Sequence, residues 1–176
     1  MLPNLLSTLR LGLGPLAGWA IVDCGCGLAL WIFAVAAITD AADGLLARRW
    51  GVVSRAGAYL DPLADKLLML FAYLGLWLRG AIPGWVVAIV LGRDFFILAM
   101  AAAGLLLTRY REFPPSRLGK ISTVVQALGG VCILLACWQG REGPGWLFWL
   151  IAAVTLASGM DYARRGWLLW RLRQKM

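Results

Sequence analysis

The chain has 176 residues, 61% of them hydrophobic, and it carries 17 basic against 9 acidic side chains. A soluble domain is closer to half apolar, so the composition predicts a single helical membrane domain over residues 1–176. The absence of histidine excludes most zinc sites and Ser-His hydrolases. The N-terminus lacks a basic region and a small-residue cleavage site, so we expect no cleavable signal sequence.

Six hydrophobic segments follow one another along the sequence, each near the ~20 residues that a membrane-spanning helix needs. Glycine, proline and charged residues separate them, as is typical of connecting loops. The segments cover residues 5–22, 28–47, 60–78, 82–108, 121–138 and 146–163. We predict an all-α polytopic membrane protein with six transmembrane helices and a short N-terminal interfacial segment.

Basic residues are concentrated in every second loop and at the C-terminus. Arg49 and Arg55 lie between the second and third segments, whereas the alternate loops hold only Arg79 and Arg141. The positive-inside rule therefore puts both termini in the cytoplasm, and we expect an integral protein of the bacterial inner membrane. For such a protein, the formal net charge of +8 indicates contact with anionic lipid headgroups and no nucleic-acid partner.

The four cysteines are not spaced for an obvious disulfide or metal site. Cys24 and Cys26 flank a single glycine, which is too close for an easy disulfide, and Cys132 and Cys137 do not share a helix face. We interpret all four as small apolar side chains.

Four aspartates accompany the second and third segments. Asp40 and Asp43 are three residues apart and share a helix face, as do Asp61 and Asp65, which are four apart. The connection is short, so we expect antiparallel neighbouring helices whose carboxylates converge near the cytoplasmic face. A carboxylate at membrane depth costs roughly 2.5–3.5 kcal/mol, so the cluster needs a compensating cation. Carboxylates without Cys or His select Mg²⁺, Mn²⁺ or Ca²⁺, and four can hold two ions for chemistry at phosphate.

Two other interpretations of the aspartates remain open. Aspartates near helix ends can be interfacial caps, which would explain Asp23 and Asp161 better than the cluster. The cluster could also belong to a proton or ion pathway in a small transporter. A transporter would show Gly- or Pro-broken segments in matching halves, and none is evident.

Small and basic residues lie beside the aspartates. Gly44 and Gly57 permit close approach of a substrate or a neighbouring backbone, and Ala47 keeps the same face narrow. Arg48 lies at the end of the second segment, in a position to hold a phosphate. Pro62 indicates that the third segment starts or bends there.

The stretch from Asp40 to Asp65 reads D-x2-D-G-x2-A-R-x8-G-x3-D-x3-D. At every specified position it resembles the signature of the CDP-alcohol phosphatidyltransferases. The opening Pro3–Arg10 and residues 60–66, 92–94 and 118–126 resemble the branch that makes phosphatidylglycerophosphate or cardiolipin. The resemblance covers nearly the whole chain. It implies a six-helix membrane enzyme, a homodimer, that transfers a phosphatidyl group from CDP-diacylglycerol to an alcohol and releases CMP.

The resemblance also implies roles for individual residues. It assigns Asp40, Asp43 and Asp61 to two divalent cations, Mg²⁺ or Mn²⁺, with Asp65 as a further shared ligand. Asp61 and Asp65 face the reaction, and Asp65 is the proposed general base. The residues expected to line the CDP site are Gly44, Ala47, Arg48 and Gly57. The candidate ligands for substrate phosphates are Arg10, Arg93, Arg117 and Lys120.

Two departures from the phosphatidylglycerophosphate synthases bear on the acceptor. Those enzymes usually carry Arg-Glu in place of Arg93-Asp94, with a Leu-Arg pair further on, and a lysine in place of Ser122. Both departures remove positive charge, which a glycerol phosphate needs and phosphatidylglycerol does not. They favour phosphatidylglycerol as acceptor and cardiolipin as product. Residues 158–162 resemble the glycerophosphate branch instead, so phosphatidylglycerophosphate synthesis remains the alternative.

Overall fold

A computed structural model describes the backbone of residues 2–50, 55–108 and 116–173, and the side chains of residues 11–39, 64–103, 116–168 and 171. These residues form six α-helices, with no strand in the described ranges. The helices are α1 (Leu2–Trp19), α2 (Cys26–Trp50), α3 (Arg55–Leu78), α4 (Gly84–Thr108), α5 (Arg117–Trp138) and α6 (Gly145–Arg173). One π-helical turn, Ala20–Cys24, continues α1 as far as Gly25, whose φ of 107° favours glycine where the chain turns into α2.

The all-α prediction is confirmed, and each predicted segment corresponds to one helix. Helix α3 begins at Arg55, so the alternative that it starts at Pro62 is wrong. A proline removes one hydrogen-bond donor from a helix but does not always end it. Asp161, predicted as a cap, lies inside α6, where its carboxylate pairs with Arg165 at 3.0 Å.

Three helices in the described part are long and apolar enough to cross a membrane, which is the property of an integral membrane protein. They are Gly84–Ala103, Arg117–Trp138 and Gly145–Leu168. Two further apolar helices, Leu11–Cys24 and Cys26–Thr39, are shorter within the described residues. The count of six spans stays a prediction. The interfacial location of the N-terminal segment also stays a prediction. The residues of this segment are the beginning of α1, which is one continuous helix from Leu2.

The chain divides into two compact units. The first contains Met1–Ile82 and Gly130–Gly143, and the second contains Pro83–Gly129 and Pro144–Met176.

In the first unit, α1 packs against α3 through glycines. A Cβ on Gly14 would lie 3.2 Å from the backbone of Leu67, and a Cβ on Gly18 would lie 3.0 Å from the carbonyl oxygen of Phe71. Residue numbers rise together along both helices, so α1 and α3 run parallel. Small residues allow this close backbone approach in membrane helices.

One end of the first unit is fastened by polar and covalent links. The Nη1 of Arg79 donates to the carbonyl oxygens of Ile21 at 2.6 Å and Val22 at 3.1 Å. Cys26 and Cys137 form a disulfide across 111 residues of sequence. The interpretation of all four cysteines as apolar fillers is therefore wrong for this pair, because local spacing carries no information about so distant a contact.

In the second unit, α4 and α6 run parallel and α5 runs antiparallel to α6. The rings of Trp85 and Trp149 lie 4.9 Å apart near the starts of α4 and α6. Further along, Gln126 of α5 donates to the Thr155 hydroxyl of α6 at 2.9 Å. Among the side chains that the structure describes, the buried polar ones lie in this unit. They are Arg93, Ser116, Ser122, Gln126, Thr155 and Ser158.

Candidate functional site

The four aspartates stand on the two helices that the sequence predicts. Asp40 and Asp43 lie in α2, and Asp61 and Asp65 lie in α3. The helical spacing within each pair is therefore confirmed. The side chains of the first three lie outside the described residues, so the convergence of the carboxylates stays a prediction. The side chains of other candidates also lie outside them: Arg10 of α1, Gly44, Ala47 and Arg48 of α2, and Gly57 of α3.

Asp65 has a described carboxylate, and it is exposed. Ala64, Leu68 and Ala72 form a buried stripe along α3, each one turn from the next. Asp65 follows Ala64 directly and is rotated about 100° from the stripe. Asp65 therefore lies at an exposed position of α3, beside the packed face of the helix.

The donor set of this region fits a hard divalent cation. Among the described side chains, no group of three Cys, Asp or Glu residues could hold a metal ion. Three of the four aspartates of the signature are not among these described side chains. The signature supplies carboxylate oxygens and the chain has no histidine, which is the ligand chemistry of Mg²⁺ and Mn²⁺.

Arg93 is the predicted phosphate ligand whose surroundings are best described, and it points inward. Its side chain is 6% exposed, and its Nη1 donates to the Asp94 carboxylate at 2.7 Å. Its Nη2 donates to the Ser158 hydroxyl at 2.8 Å and lies 3.5 Å from the carbonyl oxygen of Gly119. Its Nε has no hydrogen-bond partner among the described groups. The guanidinium thus connects α4 with α5 and α6.

Arg117 and Lys120 are exposed in the first turn of α5. Ser116 caps this turn, since its hydroxyl accepts a hydrogen bond from the Gly119 N–H at 2.8 Å. The Ser116 N–H in turn donates to the Tyr162 hydroxyl of α6 at 3.1 Å. Sequence reasoning missed both residues. A serine three residues before Gly119 signals a cap, but nothing in the sequence signals its contact with Tyr162.

Ser122 does not face solvent. It is fully buried, and its hydroxyl accepts a hydrogen bond from the Gln126 side chain at 3.3 Å. A lysine in its place would be enclosed by the second unit. The charge argument for the inferred acceptor therefore depends chiefly on the absence of an arginine from residues 95–101.

A groove of about 420 Å³ lies between α4 and α6. Its described lining is apolar except at Arg93 and Thr155, and it contains no carboxylate. The lining residues are Ala88, Ile89, Gly92, Arg93, Phe96, Thr155, Leu156, Gly159, Met160 and Ala163. This groove lacks the ligands of a metal site.

Comparison with known proteins agrees with the signature. The chain is 32% identical to a probable cardiolipin synthase (CMP-forming) of Drosophila melanogaster, over 99% of this chain and 60% of that protein. It is 35% identical to a probable phosphatidylglycerophosphate synthase of Mycobacterium tuberculosis, over 93% of this chain and 80% of that protein. It is 34% identical to a cardiolipin synthase (CMP-forming) of Streptomyces coelicolor, over 94% of this chain and 74% of that protein.

The chain thus spans less than two thirds of the Drosophila protein and more of the two bacterial ones. Residues 1–158 match the family model named CDP-alcohol phosphatidyltransferase. This range contains all four aspartates of the signature. The chain belongs to the CDP-alcohol phosphatidyltransferase family.

Proposed function

We propose that the chain transfers the phosphatidyl group of CDP-diacylglycerol to a hydroxyl of phosphatidylglycerol, which forms cardiolipin and releases CMP. One observation carries the reaction class: the complete aspartate signature lies on two helices of an integral membrane protein. The names of the Drosophila and Streptomyces relatives support the product.

In this proposal the aspartates divide the chemistry between them. Asp40, Asp43 and Asp61 hold two Mg²⁺ or Mn²⁺ ions, with Asp65 as a further ligand. When bound, the ions neutralise the pyrophosphate of the donor and stabilise the departing CMP. Asp65 accepts the proton of the acceptor hydroxyl as general base, and its exposed position on α3 supports this role.

The CDP moiety lies along the small residues of the signature. Gly44, Ala47 and Gly57 allow its close approach, and Arg48 binds a phosphate. The packing of α1 supports a place for Arg10 beside them. Gly14 contacts the backbone of α3 at Leu67. Arg10 lies one turn before Gly14 in α1. Because the two helices run parallel, Arg10 is level with the turn of α3 that contains Asp61 and Asp65.

Charge favours phosphatidylglycerol over glycerol phosphate as acceptor. Residues 95–101 contain no arginine, and the Arg93 guanidinium is paired with Asp94, so this part of α4 adds little net positive charge. Glycerol phosphate carries nearly two negative charges and needs charge-assisted hydrogen bonds, whereas phosphatidylglycerol reacts through a neutral headgroup hydroxyl. Phosphatidylglycerophosphate synthesis is the second candidate, and the relative from Mycobacterium tuberculosis supports it.

We place the reaction at the cytoplasmic face of the bacterial inner membrane, in a homodimer. The basic loops support this orientation. The disulfide supports it too. Cys26 begins α2, about 20 Å along the helix axis from Asp40, and disulfides persist in oxidising compartments outside the cytoplasm.

The test is CMP release by the purified protein. CDP-diacylglycerol with phosphatidylglycerol and Mg²⁺ or Mn²⁺ should give CMP, and either EDTA or omission of the acceptor should stop its release. Release that persists without any acceptor alcohol would mean hydrolysis, and the transferase assignment would then be wrong.

A further inference from the structure

We propose that Arg93 is a positioning residue, which fixes the first turn of α5 so that Arg117 and Lys120 bind a phosphate group of a lipid substrate. This inference rests on the proposed function. It replaces the expectation that Arg93 itself contacts substrate phosphate.

The contacts of Arg93 carry the first step. Its two terminal nitrogens are directed at Asp94 and at Ser158, and the second also lies near the Gly119 carbonyl oxygen. A planar guanidinium can bridge two such partners at once, which an ammonium cannot do in the same geometry. With its side chain 6% exposed, Arg93 is too enclosed to reach a substrate without leaving these partners.

Tyr162 holds the same turn of α5 from α6. Its hydroxyl accepts from the Ser116 N–H, and its ring centroid lies 5.7 Å from the Arg93 guanidinium carbon. A Cβ on Gly119 would lie 2.8 Å from the Tyr162 hydroxyl and 3.1 Å from the Ser116 hydroxyl. Glycine at this position therefore lets α5 approach closely enough for Arg93 and Tyr162 to contact one turn.

The exposed cations of that turn are the ones available to a ligand. Arg117 and Lys120 lie on either side of Gly119 in sequence and are both exposed. Asp94 balances the charge of Arg93, whereas Arg117 and Lys120 offer charge-assisted hydrogen bonds to phosphate oxygens. The phosphate belongs either to the CDP-linked donor or to the acceptor, and the Michaelis constants of the two lipids distinguish these sources.

A double-mutant cycle that combines Ser158→Ala with Lys120→Gln tests whether Arg93 and its partner act through Lys120. Ser158→Ala removes a partner of Arg93 and should raise KM for one of the two lipids about tenfold, with a smaller change in kcat. Arg93→Lys should do the same, although it keeps the charge. Lys120→Gln should raise the same KM, and adding Ser158→Ala to it should change KM less than about twofold, because coupled residues are not additive.

Thr155→Ala is the matched control. It removes a buried hydroxyl from α6 one turn away, where the partner is Gln126 and not Arg93. It should lower thermal stability about as much as Ser158→Ala and leave both KM values unchanged. Equal KM increases in the two variants, full additivity with Lys120→Gln, or an unchanged KM in Lys120→Gln would each overturn the proposal.

Hydrogen exchange gives a readout that is independent of turnover. Peptides covering residues 116–122 should exchange faster in Ser158→Ala and Arg93→Lys than in the wild type or Thr155→Ala. Unchanged exchange in both variants would reject positioning. A wild-type protein that releases no CMP from CDP-diacylglycerol would instead reject the proposed function, so the two failures are distinguishable. Tyr162→Phe keeps the test open if Arg93→Lys does not fold, because it should raise the same KM.

Discussion

Gly75 of α3 touches the backbone of Gly18 in α1, where a Cβ on Gly75 would lie 2.9 Å from the Gly18 carbonyl oxygen. Backbone cannot yield as the end of a long side chain can. Gly75→Ala should therefore destabilise the protein by about 1–3 kcal/mol, the usual result of overpacking. Thermal unfolding in detergent measures this.

Gly12→Ala is the control for that variant. Gly12 lies in α1 with nothing within 4 Å of its added Cβ. The substitution should be neutral or stabilise the helix by up to about 1 kcal/mol. If both alanine variants melt at the wild-type temperature, α1 and α3 are not in close backbone contact.

The disulfide between Cys26 and Cys137 should contribute to stability. A native disulfide that closes a long loop typically contributes about 2–4 kcal/mol, so Cys137→Ser should lower the melting temperature. Cys132→Ser, which alters a free cysteine of the same helix, should not. Alkylation of the denatured protein should modify Cys24 and Cys132 without a reductant, and all four cysteines only after reduction.

The metal role of the signature predicts inactive but folded variants. Asp40→Asn and Asp61→Asn each remove an anionic ligand and should abolish transfer, with the elution profile in detergent unchanged. Asp23→Asn, which alters an exposed aspartate of the π-helical turn, should keep wild-type activity. Transfer that continues undiminished in EDTA would contradict the metal role.

The role of Asp65 as general base predicts a separation of binding from turnover. Asp65→Asn should lose most of its turnover yet bind CDP-diacylglycerol, because a general base acts on the acceptor. Asp43→Asn provides the comparison, since the proposed function makes Asp43 a metal ligand and not a base. Equal loss of donor binding in the two variants, measured by equilibrium dialysis, would make Asp65 chiefly a ligand.

The sequence alone predicts the helices and the aspartate pairs, because apolar length and helical spacing are local properties. It does not predict where α3 begins, since the turns from Arg55 to Asp61 are helical without being continuously apolar. The sequence alone also does not predict the long-range contacts. The Cys26–Cys137 bond joins residues 111 apart in sequence, and the Ser158 partner of Arg93 lies on another helix.

Ser122 shows the same limit at the site. The sequence shows that a serine at position 122 carries one positive charge less than the lysine usual in phosphatidylglycerophosphate synthases. Only the fold shows that position 122 is buried beside Gln126. The main basis of the inferred acceptor is therefore the absence of an arginine from residues 95–101, after Asp94.

The most direct test offers phosphatidylglycerol and glycerol 3-phosphate together, at equal concentrations, to the purified protein with CDP-diacylglycerol and Mg²⁺ or Mn²⁺. A missing charge-assisted hydrogen bond costs about 1.5–3 kcal/mol, so phosphatidylglycerol should be preferred by about tenfold to a hundredfold. Thin-layer chromatography of the lipid products should show cardiolipin. Predominance of phosphatidylglycerophosphate would contradict this acceptor and would mean that the exposed Arg117 and Lys120 suffice to bind a glycerol phosphate.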